Sequence, residues 1–222
     1  MKCRQCNQDF IPHYSLAELI SFQPLYDNHL CPQCLSQFQL IQKDESCPYC
    51  SGPMPCQECQ TWQEQYALLH HSLYHYNAIA KEWLNRYKII GDYALKDSFS
   101  KVLYRELHHF VKKGWVLIPI PLDDYKFQKR GFNQVSALLE ASHLPYNDTL
   151  LYKFPLAQAQ GLKNRQERLA TPQPFYIKTA PQQRYNKVMI IDDIYTTGRT
   201  MTHAYACLAP YCQKICSFSL FR

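Results

Sequence analysis

Hydrophobic residues change their spacing several times after residue 60, and the changes predict an alternation of strands and helices. Polar and apolar residues alternate between Tyr66 and Tyr76, which predicts a strand. Apolar residues then recur at helical spacing from Ile79 to Tyr87 and again from Leu95 to Leu103. Gly91-Asp92 separates these two stretches, and a glycine there is typical of a helix end. Two consecutive helices are therefore expected after the first strand.

The second half of the chain repeats strand and helix patterns in alternation. Short apolar runs at Val116–Ile120, Val188–Ile191 and Ile215–Phe221 predict buried strands. Between these strands, Ala137–Ala141 and Thr200–Leu208 are expected to be helical. Strand, helix and strand in turn favour an α/β fold with a Rossmann-like parallel sheet and crossover helices. Ligands of such sheets bind at the carboxyl ends of the strands.

Eight of the eleven cysteines form four Cys-x-x-Cys pairs. Two thiolates separated by two residues can reach one ion from a tight turn, and two such turns complete the tetrahedron that Zn²⁺ prefers. A disulfide framework is not expected, because the sequence shows no export signal and the cytosol keeps thiols reduced. The pattern therefore predicts zinc. The pairs are Cys3/Cys6, Cys31/Cys34, Cys47/Cys50 and Cys56/Cys59.

Four pairs predict two zinc sites, and the sequence leaves their pairing open. A sequential scheme assigns the first four cysteines to one ion and the last four to the other, and an interleaved scheme is the alternative. Four cysteines per ion leave no position for water, which indicates structural rather than catalytic sites. Prolines beside the pairs suit turns, so metal is expected to supply much of the folding energy. We expect residues 1–61 to form a small zinc-ribbon-like domain before the α/β domain of residues 62–222.

Several other residues are expected to be structural. The stretch from Pro172 to Arg184, rich in Pro and Gln, is expected to form loops. Three cysteines outside the pairs lie in an apolar context and are expected to pack as small hydrophobic side chains: Cys207, Cys212 and Cys216. Five histidines are expected at the surface or the edge of the core: His70, His71, His75, His108 and His109.

Charge separates the two predicted domains. Residues 1–61 hold 3 Lys and Arg against 6 Asp and Glu, and residues 62–222 hold 21 against 12. A basic domain favours polyanionic partners such as nucleic acid or phosphorylated metabolites, and a surface kept soluble by excess charge is the alternative. No run approaches the roughly 18 apolar residues of a membrane-spanning helix, and no secretory signal follows Met1. We expect a soluble cytoplasmic protein without membrane insertion.

The apolar run Val188–Ile191 ends at two adjacent acids, Asp192 and Asp193, and continues into a Thr-Thr-Gly-Arg-Thr loop at 196–200. One carboxylate at a strand end can accept hydrogen bonds from vicinal hydroxyls, while the other organises the site or a hydrated cation. The amides, threonine hydroxyls and helix N-terminus that follow offer a site to an anion. Together these groups suit a ribose 5-phosphate, and an ordinary strand-turn-helix junction is the alternative.

The complete string resembles the signature of type I phosphoribosyltransferases, with four apolar residues, two acids and a Thr-Thr-Gly phosphate loop. The resemblance implies that Asp192 and Asp193 hold the ribose hydroxyls of phosphoribosyl diphosphate, which Mg²⁺ is expected to accompany. It also implies that the loop binds the 5-phosphate. Arg199 stands where this loop often has a small residue, and it adds a cation. The loop residues are Thr196, Thr197, Gly198, Arg199 and Thr200.

A second motif narrows the family. Pro119-Ile120-Pro121-Leu122, followed by Lys129-Arg130-Gly131-Phe132-Asn133-Gln134, resembles the hallmark of ComF/GntX-type proteins. Members of that family also begin with paired-cysteine fingers, and the resemblance covers nearly the whole chain. It extends to two further places, Lys88 with Gly91-Asp92 and Leu162 with Glu167-Arg168.

The segment from Asp123 to Phe132 is expected to be a loop that interleaves aromatic with basic residues. Charges for phosphates and rings for bases suit single-stranded nucleic acid. Lys129 and Arg130 could instead fold over a diphosphate as a lid and take part in catalysis. An exposed basic loop without a ligand is the third interpretation. The interleaved residues are Tyr125, Lys126, Phe127, Lys129, Arg130 and Phe132.

The family resemblance implies a late competence role, in which the protein assists the uptake or handling of single-stranded transforming DNA beside a ComFA-type helicase-like ATPase. The chain has no Gly-x4-Gly-Lys-Ser/Thr loop, which fits a protein that relies on a partner for ATP-driven work. An active phosphoribosyltransferase on an unidentified acceptor is one alternative, since the acids, Mg²⁺ and a cationic loop would stabilise a departing diphosphate. A zinc-stabilised adaptor with a vestigial pocket is the other.

Overall fold

A computed structural model describes residues 1–20, 29–56, 59, 68–154 and 173–222. Its helices are α1 (Leu16–Ile20), α2 (Pro32–Leu35), α3 (Ala78–Asn85), α4 (Ser100–Lys112), α5 (Asp124–Arg130), α6 (Gln134–Ala141) and α7 (Arg199–Leu208). Its strands are β1 (Leu69–Tyr74), β2 (Val116–Pro119), β3 (Leu151–Lys153), β4 (Phe175–Ile177), β5 (Tyr185–Ile194) and β6 (Cys212–Phe221). A π-helical turn at Arg86–Ile90 extends α3, and 3₁₀ turns lie at Tyr93–Phe99 and Ala209–Tyr211.

Four strands form one parallel sheet in the order β1-β6-β5-β2. In the centre of this sheet, Ile191 of β5 lies opposite Pro119 of β2 and opposite Phe218 of β6. Because all four strands run in the same direction, their carboxyl ends meet at one edge, where β5 carries Asp192 and Asp193. The α/β class and the parallel sheet expected from the sequence are confirmed.

Side chains of the central strands alternate between two hydrophobic clusters, one on each face of the sheet. Met189 and Ile191 enter the cluster formed with α3, α4 and α6, whereas Val188 and Ile190 enter the cluster formed with α7. Trp83 of α3 is fully buried in the first cluster. Helices therefore cover both faces, as a parallel sheet requires.

The segment from Asp123 to Phe132 forms a helix, α5, where the sequence analysis predicted a loop. The side chain of Asp123 caps this helix by accepting a hydrogen bond from the backbone N–H of Lys126 at 3.0 Å. Gly131 ends the helix with a φ of 81°. None of the residues of α5 is buried, so the helix has no apolar stripe by which the sequence could reveal it.

Strands β3 and β4 pair as an antiparallel ribbon, with Leu151 opposite Ile177 and Lys153 opposite Phe175. The stretch from Pro172 to Arg184 thus contains a strand where only loops were predicted. Phe175 is buried in the cluster on the α7 face, which places the ribbon against that face. Strands of three residues are too short to show an alternation of polar and apolar positions.

The cysteine-rich segment covers the outer edge of β1. The backbone N–H of His70 donates to the carbonyl oxygen of Tyr49 at 2.8 Å, and that of Ser72 donates to Oγ of Ser51 at 3.1 Å. Residues 39–41 bond to the far end of the same strand. An edge strand otherwise leaves such groups unpaired, so these contacts complete the hydrogen bonding of the sheet.

His70 is buried, whereas the sequence placed it at the surface or the core edge. Its Nδ1 lies 2.9 Å from Oγ of Ser217, and its Nε2 lies 2.8 Å from Oγ of Ser72. Burial keeps the pKa of His70 well below its usual value, so the ring is neutral at pH 7. The three unpaired cysteines are buried or half-buried, in agreement with a packing role: Cys207, Cys212 and Cys216.

The division into residues 1–61 and 62–222 stays a prediction, because its boundary lies outside the described residues. Leu162, Glu167 and Arg168 of the family motif also lie outside them. No helix in the described part of the chain is long and apolar enough to cross a membrane.

Candidate functional site

The eight paired cysteines come together in two groups that follow the sequential scheme. Within each group the four sulfur atoms all lie within 4.8 Å of one another. The sulfur atoms of Cys6 and Cys31 are 3.8 Å apart, and those of Cys50 and Cys56 are 3.5 Å apart. Sulfurs bound to Zn²⁺ at about 2.3 Å lie about 3.8 Å apart at tetrahedral angles, so each group could hold one zinc ion. The first group is Cys3, Cys6, Cys31 and Cys34, and the second is Cys47, Cys50, Cys56 and Cys59.

The electrostatics of both groups suit a divalent cation. Burial opposes the ionisation of Cys3, but backbone N–H groups, among them that of Cys31, lower its pKa to about 6. Backbone N–H groups lower the pKa of Cys47 against burial in the same way. Burial and the neighbouring thiols raise the pKa of Cys34 and of Cys59. A bound cation would remove the repulsion between these thiolates, which is the chemistry of a closed four-cysteine site.

Asp192 and Asp193 lie in different environments at the carboxyl end of β5. Asp193 is 1% exposed, and its Oδ1 accepts a hydrogen bond from Nζ of Lys88 at 2.8 Å. Its Oδ2 is buried and has no hydrogen-bond donor among the described residues. Asp192 is half-buried, and burial together with the charge of Asp193 raises the pKa of its carboxyl. Asp192 is therefore the more exposed of the two acids, although its Oδ1 accepts a hydrogen bond from the backbone N–H of Asp193 at 2.9 Å.

Lys88 reaches Asp193 from the π-helical turn that follows α3. Gly91 ends this turn in the left-handed conformation, with a φ of 82°. Nε of Arg130 donates to the carbonyl oxygen of Lys88 at 3.0 Å, and Nη1 of Arg130 donates to Oε1 of Gln134. The Arg-Gly-Phe-Asn-Gln motif thus fastens the turn that carries Lys88. Lys129, by contrast, is exposed on α5.

Two further residues of this charged cluster are not predicted by the sequence motifs. Asp123 is 2% exposed beside the carboxyl end of β2, and its Oδ2 forms an ion pair of 3.5 Å with Nζ of Lys126. Lys153 is half-buried at the end of β3, where burial and Lys126 lower its pKa while Asp123 and Asp192 oppose them. The strand predicted at Val116–Ile120 could have indicated Asp123, but no motif marks Lys153.

The loop between β5 and α7 contains the predicted phosphate-binding residues. Thr196 and Thr200 are exposed, Thr197 and Arg199 are half-buried, and Gly198 is buried. Gly198 is the N-cap of α7 and has a φ of 73°. Backbone N–H groups in the first turn of a helix lack an intrahelical acceptor. With the threonine hydroxyls, they are the donors that this loop can offer to an anion.

The aromatic residues of the α5 region divide into two kinds. Tyr125 and Phe127 are 67% and 51% exposed on α5, among exposed lysines. Phe132 instead packs against Tyr87 and Tyr93, with ring centroids 5.3 and 4.9 Å apart. Only α5 therefore presents both rings and cations to the solvent in this region, and Phe132 belongs to the core packing.

The sequence is similar to proteins of bacterial competence. It is 36% identical over 230 residues to the competence protein ComFC of Streptococcus pneumoniae, and the alignment covers the whole of both chains. It is 31% identical to the competence protein ComFC of Bacillus subtilis, over 99% of this chain and 94% of the relative. The competence protein F of Haemophilus influenzae is 22% identical over 78% of this chain and 81% of its own. No protein-family model matches the sequence.

We predict about two zinc ions per chain, because each cysteine group supplies one closed tetrahedron. Cys6→Ser and Cys56→Ser should each reduce the content to about one, since each removes a ligand of a different group. Elemental analysis of protein purified without chelator measures this. Cys207→Ser lies outside both groups and should retain both ions. A parent protein without zinc would contradict the prediction.

We also predict that Asp192→Asn stabilises the protein at alkaline pH. The raised pKa of Asp192 means that the folded state binds its proton more tightly than the unfolded state does. Stability therefore falls as the pH rises from the ordinary aspartate value of about 4 to about 8. Asparagine does not ionise, so at alkaline pH the free energy of unfolding of the variant should exceed that of the parent by about 1–3 kcal/mol.

Chemical denaturation of parent and variant between pH 5.5 and 9 tests this expectation. The difference in free energy of unfolding should grow with pH up to about 8 and level off above it. Asp44→Asn, which removes a carboxylate that is exposed, is the control and should show no such trend. Equal stability of parent and Asp192→Asn at pH 9 would show that Asp192 ionises without cost.

Proposed function

The chain belongs to the ComF family of competence proteins, and we propose that it assists the handling of single-stranded DNA through a domain that binds phosphoribosyl diphosphate. Similarity over the whole chain to proteins named ComFC supports the competence role. The observation that carries the ligand assignment is the half-buried carboxyl of Asp192 shortly before the Thr196–Thr200 loop, at the carboxyl end of a central parallel strand.

We assign the sheet and its helices to the type I phosphoribosyltransferase fold. The parallel order, the two acids at the end of β5 and the loop that starts α7 support this assignment. In this arrangement the amides and hydroxyls of the Thr196–Thr200 loop bind the 5-phosphate, and Asp192 accepts hydrogen bonds from the ribose hydroxyls. Asp193 has an indirect role, because it is buried and its Oδ1 already accepts a hydrogen bond from Lys88.

The cations around the acids suit the diphosphate of the ligand. Burial lowers the pKa of Arg130 and of Lys153, so both cations lie where their charge costs free energy. A polyanion next to them would recover part of that cost. Mg²⁺ would enter with the diphosphate and neutralise part of its charge. The ion would also favour the ionised form of Asp192, which is the side chain able to hold the hydrated ion.

Transfer of the ribosyl group to an unidentified acceptor is a second candidate function. Lys88 and Arg130 are joined by a hydrogen bond of 3.0 Å and lie at the acids, where they would stabilise a departing diphosphate. Lys129, the sequence neighbour of Arg130, is exposed on α5 and would contribute only if α5 moved. Release of diphosphate in the presence of candidate acceptors distinguishes turnover from binding.

The exposed face of α5 supports contact with single-stranded DNA. Tyr125 and Phe127 offer rings on which bases can stack, and Lys126 and Lys129 offer charges for phosphates. Residues 62–222 hold 21 Lys and Arg against 12 Asp and Glu, which favours a polyanion. A helicase-like ATPase of the ComFA type is the partner that would supply ATP-driven movement of the strand.

We predict that the parent protein binds phosphoribosyl diphosphate in the presence of Mg²⁺ and that the double variant Asp192→Ala/Asp193→Ala binds it far more weakly. Loss of charge-assisted hydrogen bonds of about 1.5–3 kcal/mol each should weaken binding by at least about 100-fold. Isothermal titration calorimetry measures the dissociation constants. Zinc content should stay unchanged, because the acids lie outside both cysteine groups.

Asp44→Asn is the matched control for the loss of a carboxylate and should bind like the parent. Undiminished binding by the double variant would refute the assignment of the acids to the ribose. If the parent itself binds neither phosphoribosyl diphosphate nor ribose 5-phosphate, the pocket is vestigial and the adaptor function is favoured.

We predict that the protein binds single-stranded DNA with little sequence preference and that Phe127→Ala weakens binding by about 1–3 kcal/mol, the contribution of one stacked base. Lys129→Ala should lower the slope of log affinity against log salt by about 0.7, because one phosphate contact is lost. Fluorescence anisotropy of a labelled oligonucleotide at several salt concentrations measures both effects.

Two substitutions of exposed residues in the cysteine-rich segment are the controls. Tyr49→Ala and Lys43→Ala remove an exposed ring and an exposed cation away from α5, and both should bind like the parent. Equal losses in the α5 variants and the controls would show that α5 is not the contact surface. No binding at low salt, with or without the ATPase partner, would remove direct DNA contact from the proposal.

A further inference from the structure

Tyr195 supports the phosphate loop from its buried side. Its side chain is buried although Thr196 is exposed, and its backbone N–H donates to the carbonyl oxygen of Phe221 at 2.9 Å. Its hydroxyl lies against Gly198, where a Cβ would overlap it. Gly198 is thus required both for its φ of 73° and for this close approach. The ring of Tyr195 therefore packs directly against the N-cap of α7.

Two side chains hold the ring of Tyr195. The imidazole of His70 stacks on it, with centroids 4.0 Å apart and planes inclined by 27°. His70 is itself fixed by hydroxyls of Ser72 and Ser217. The guanidinium carbon of Arg222 lies 4.5 Å from the centroid of the Tyr195 ring, a distance at which a cation is attracted to the ring.

Arg222 also contacts the turn that contains the second cysteine group. Its guanidinium lies so close to Gly52 that a Cβ there would overlap it. The carbonyl oxygen of Gly52 accepts a hydrogen bond from the backbone N–H of Cys47 at 2.8 Å, so Gly52 closes the turn on which two of the cysteines lie. Burial raises the pKa of Cys50, and the nearby charge of Arg222 opposes that rise. One guanidinium therefore bridges the cysteine turn and the tyrosine of the loop.

The backbone of Arg222 is fixed independently of its side chain. Its N–H donates to the carbonyl oxygen of Tyr74 at 2.9 Å, and its own carbonyl oxygen accepts from Tyr76 at 2.6 Å. The cysteine turn is fixed to the same strand by the bond from His70 to Tyr49. A substitution of Arg222 should therefore remove the bridge without detaching β6 or the turn from β1.

We propose that Arg222 is a positioning residue that couples metal binding at the second cysteine group to the order of the phosphate loop. The metal fixes the turn that contains Gly52. The guanidinium of Arg222 packs between Gly52 and Tyr195, and Tyr195 packs against Gly198 at the start of α7. The inference rests on the proposed function in taking the loop at 196–200 as the anion site. The first cysteine group packs into the cluster on the other face of the sheet and serves as an internal comparison.

Hydrogen exchange of the zinc-loaded full chain, followed by mass spectrometry, tests the coupling without any ligand. Arg222→Ala should speed exchange of the amides of residues 196–202 by about tenfold, a typical size for coupling between sites. Cys56→Ser should have the same effect, because it releases the second metal. Cys6→Ser, which releases the first, should leave these amides unchanged. Exchange rates of peptides from α3 report general destabilisation of the fold. These rates should stay the same in Arg222→Ala and Cys56→Ser as in the parent.

The double variant Arg222→Ala/Cys56→Ser separates coupling from two unrelated losses. If both residues act through one bridge, the exchange rate at residues 196–202 in the double variant should equal that in either single variant. Additive effects, or a loop unaffected by Arg222→Ala, would overturn the inference. Arg222→Lys keeps the charge but not the planar group, and it should restore the loop only in part.

Ligand binding supplies the second readout and separates this inference from the proposed function. Phosphoribosyl diphosphate should bind Arg222→Ala at least about fivefold more weakly than the parent, and the ligand should slow removal of the second zinc by a chelator. A parent that binds no ligand would refute the proposed function while the exchange result still decides the coupling. Equal affinities of the parent and Arg222→Ala would overturn the coupling while the ligand site stands.

Discussion

The parallel pairing of β5 with β2 and β6 is the constraint on which the candidate functional site depends. Since parallel strands end at the same edge of the sheet, the residues that follow them meet there despite their separation in the sequence. Asp123 follows β2, Asp192 and Asp193 end β5, and Arg222 follows β6. The sheet thus gathers the N-cap of α5, two acids and an arginine that contacts Tyr195, although the three strands that carry them are separated in the sequence.

The charged groups at this edge lower the stability of the fold, because they are partly buried or lie beside like charges. A bound ligand of opposite charge would reduce that cost. Asp192 lies beside another carboxylate, Arg130 and Lys153 are partly desolvated, and one oxygen of Asp193 lacks a donor among the described residues. Such perturbed groups concentrate at functional sites, because binding requires charges that are not already neutralised by the fold. The ion pair of Lys88 with Asp193 is the exception, and it orients the turn that carries the lysine.

The sequence predicted best those features that rest on local spacing. The run Val188–Ile191 before two acids located the strand end, and the cysteine pairs located both sulfur groups. Spacing could not choose between the zinc schemes, because the choice depends on how the turns lie in space. Spacing also did not predict α5, because that helix buries no residue. It did not predict the burial of His70 either, because the serine partners of His70 in β6 lie almost 150 positions away.

The contact between the cysteine turn and β1 bears on the behaviour of the chain before it is fully folded. β1 is an outer strand, and Tyr49 and Ser51 occupy two of its outward N–H groups. An outer strand without such a cover is a template for strand addition by a second chain. A chain that lacks metal at the second cysteine group would hold this cover less firmly. The same metal would then oppose self-association of the chain, and zinc shortage would favour aggregation through the exposed edge of β1.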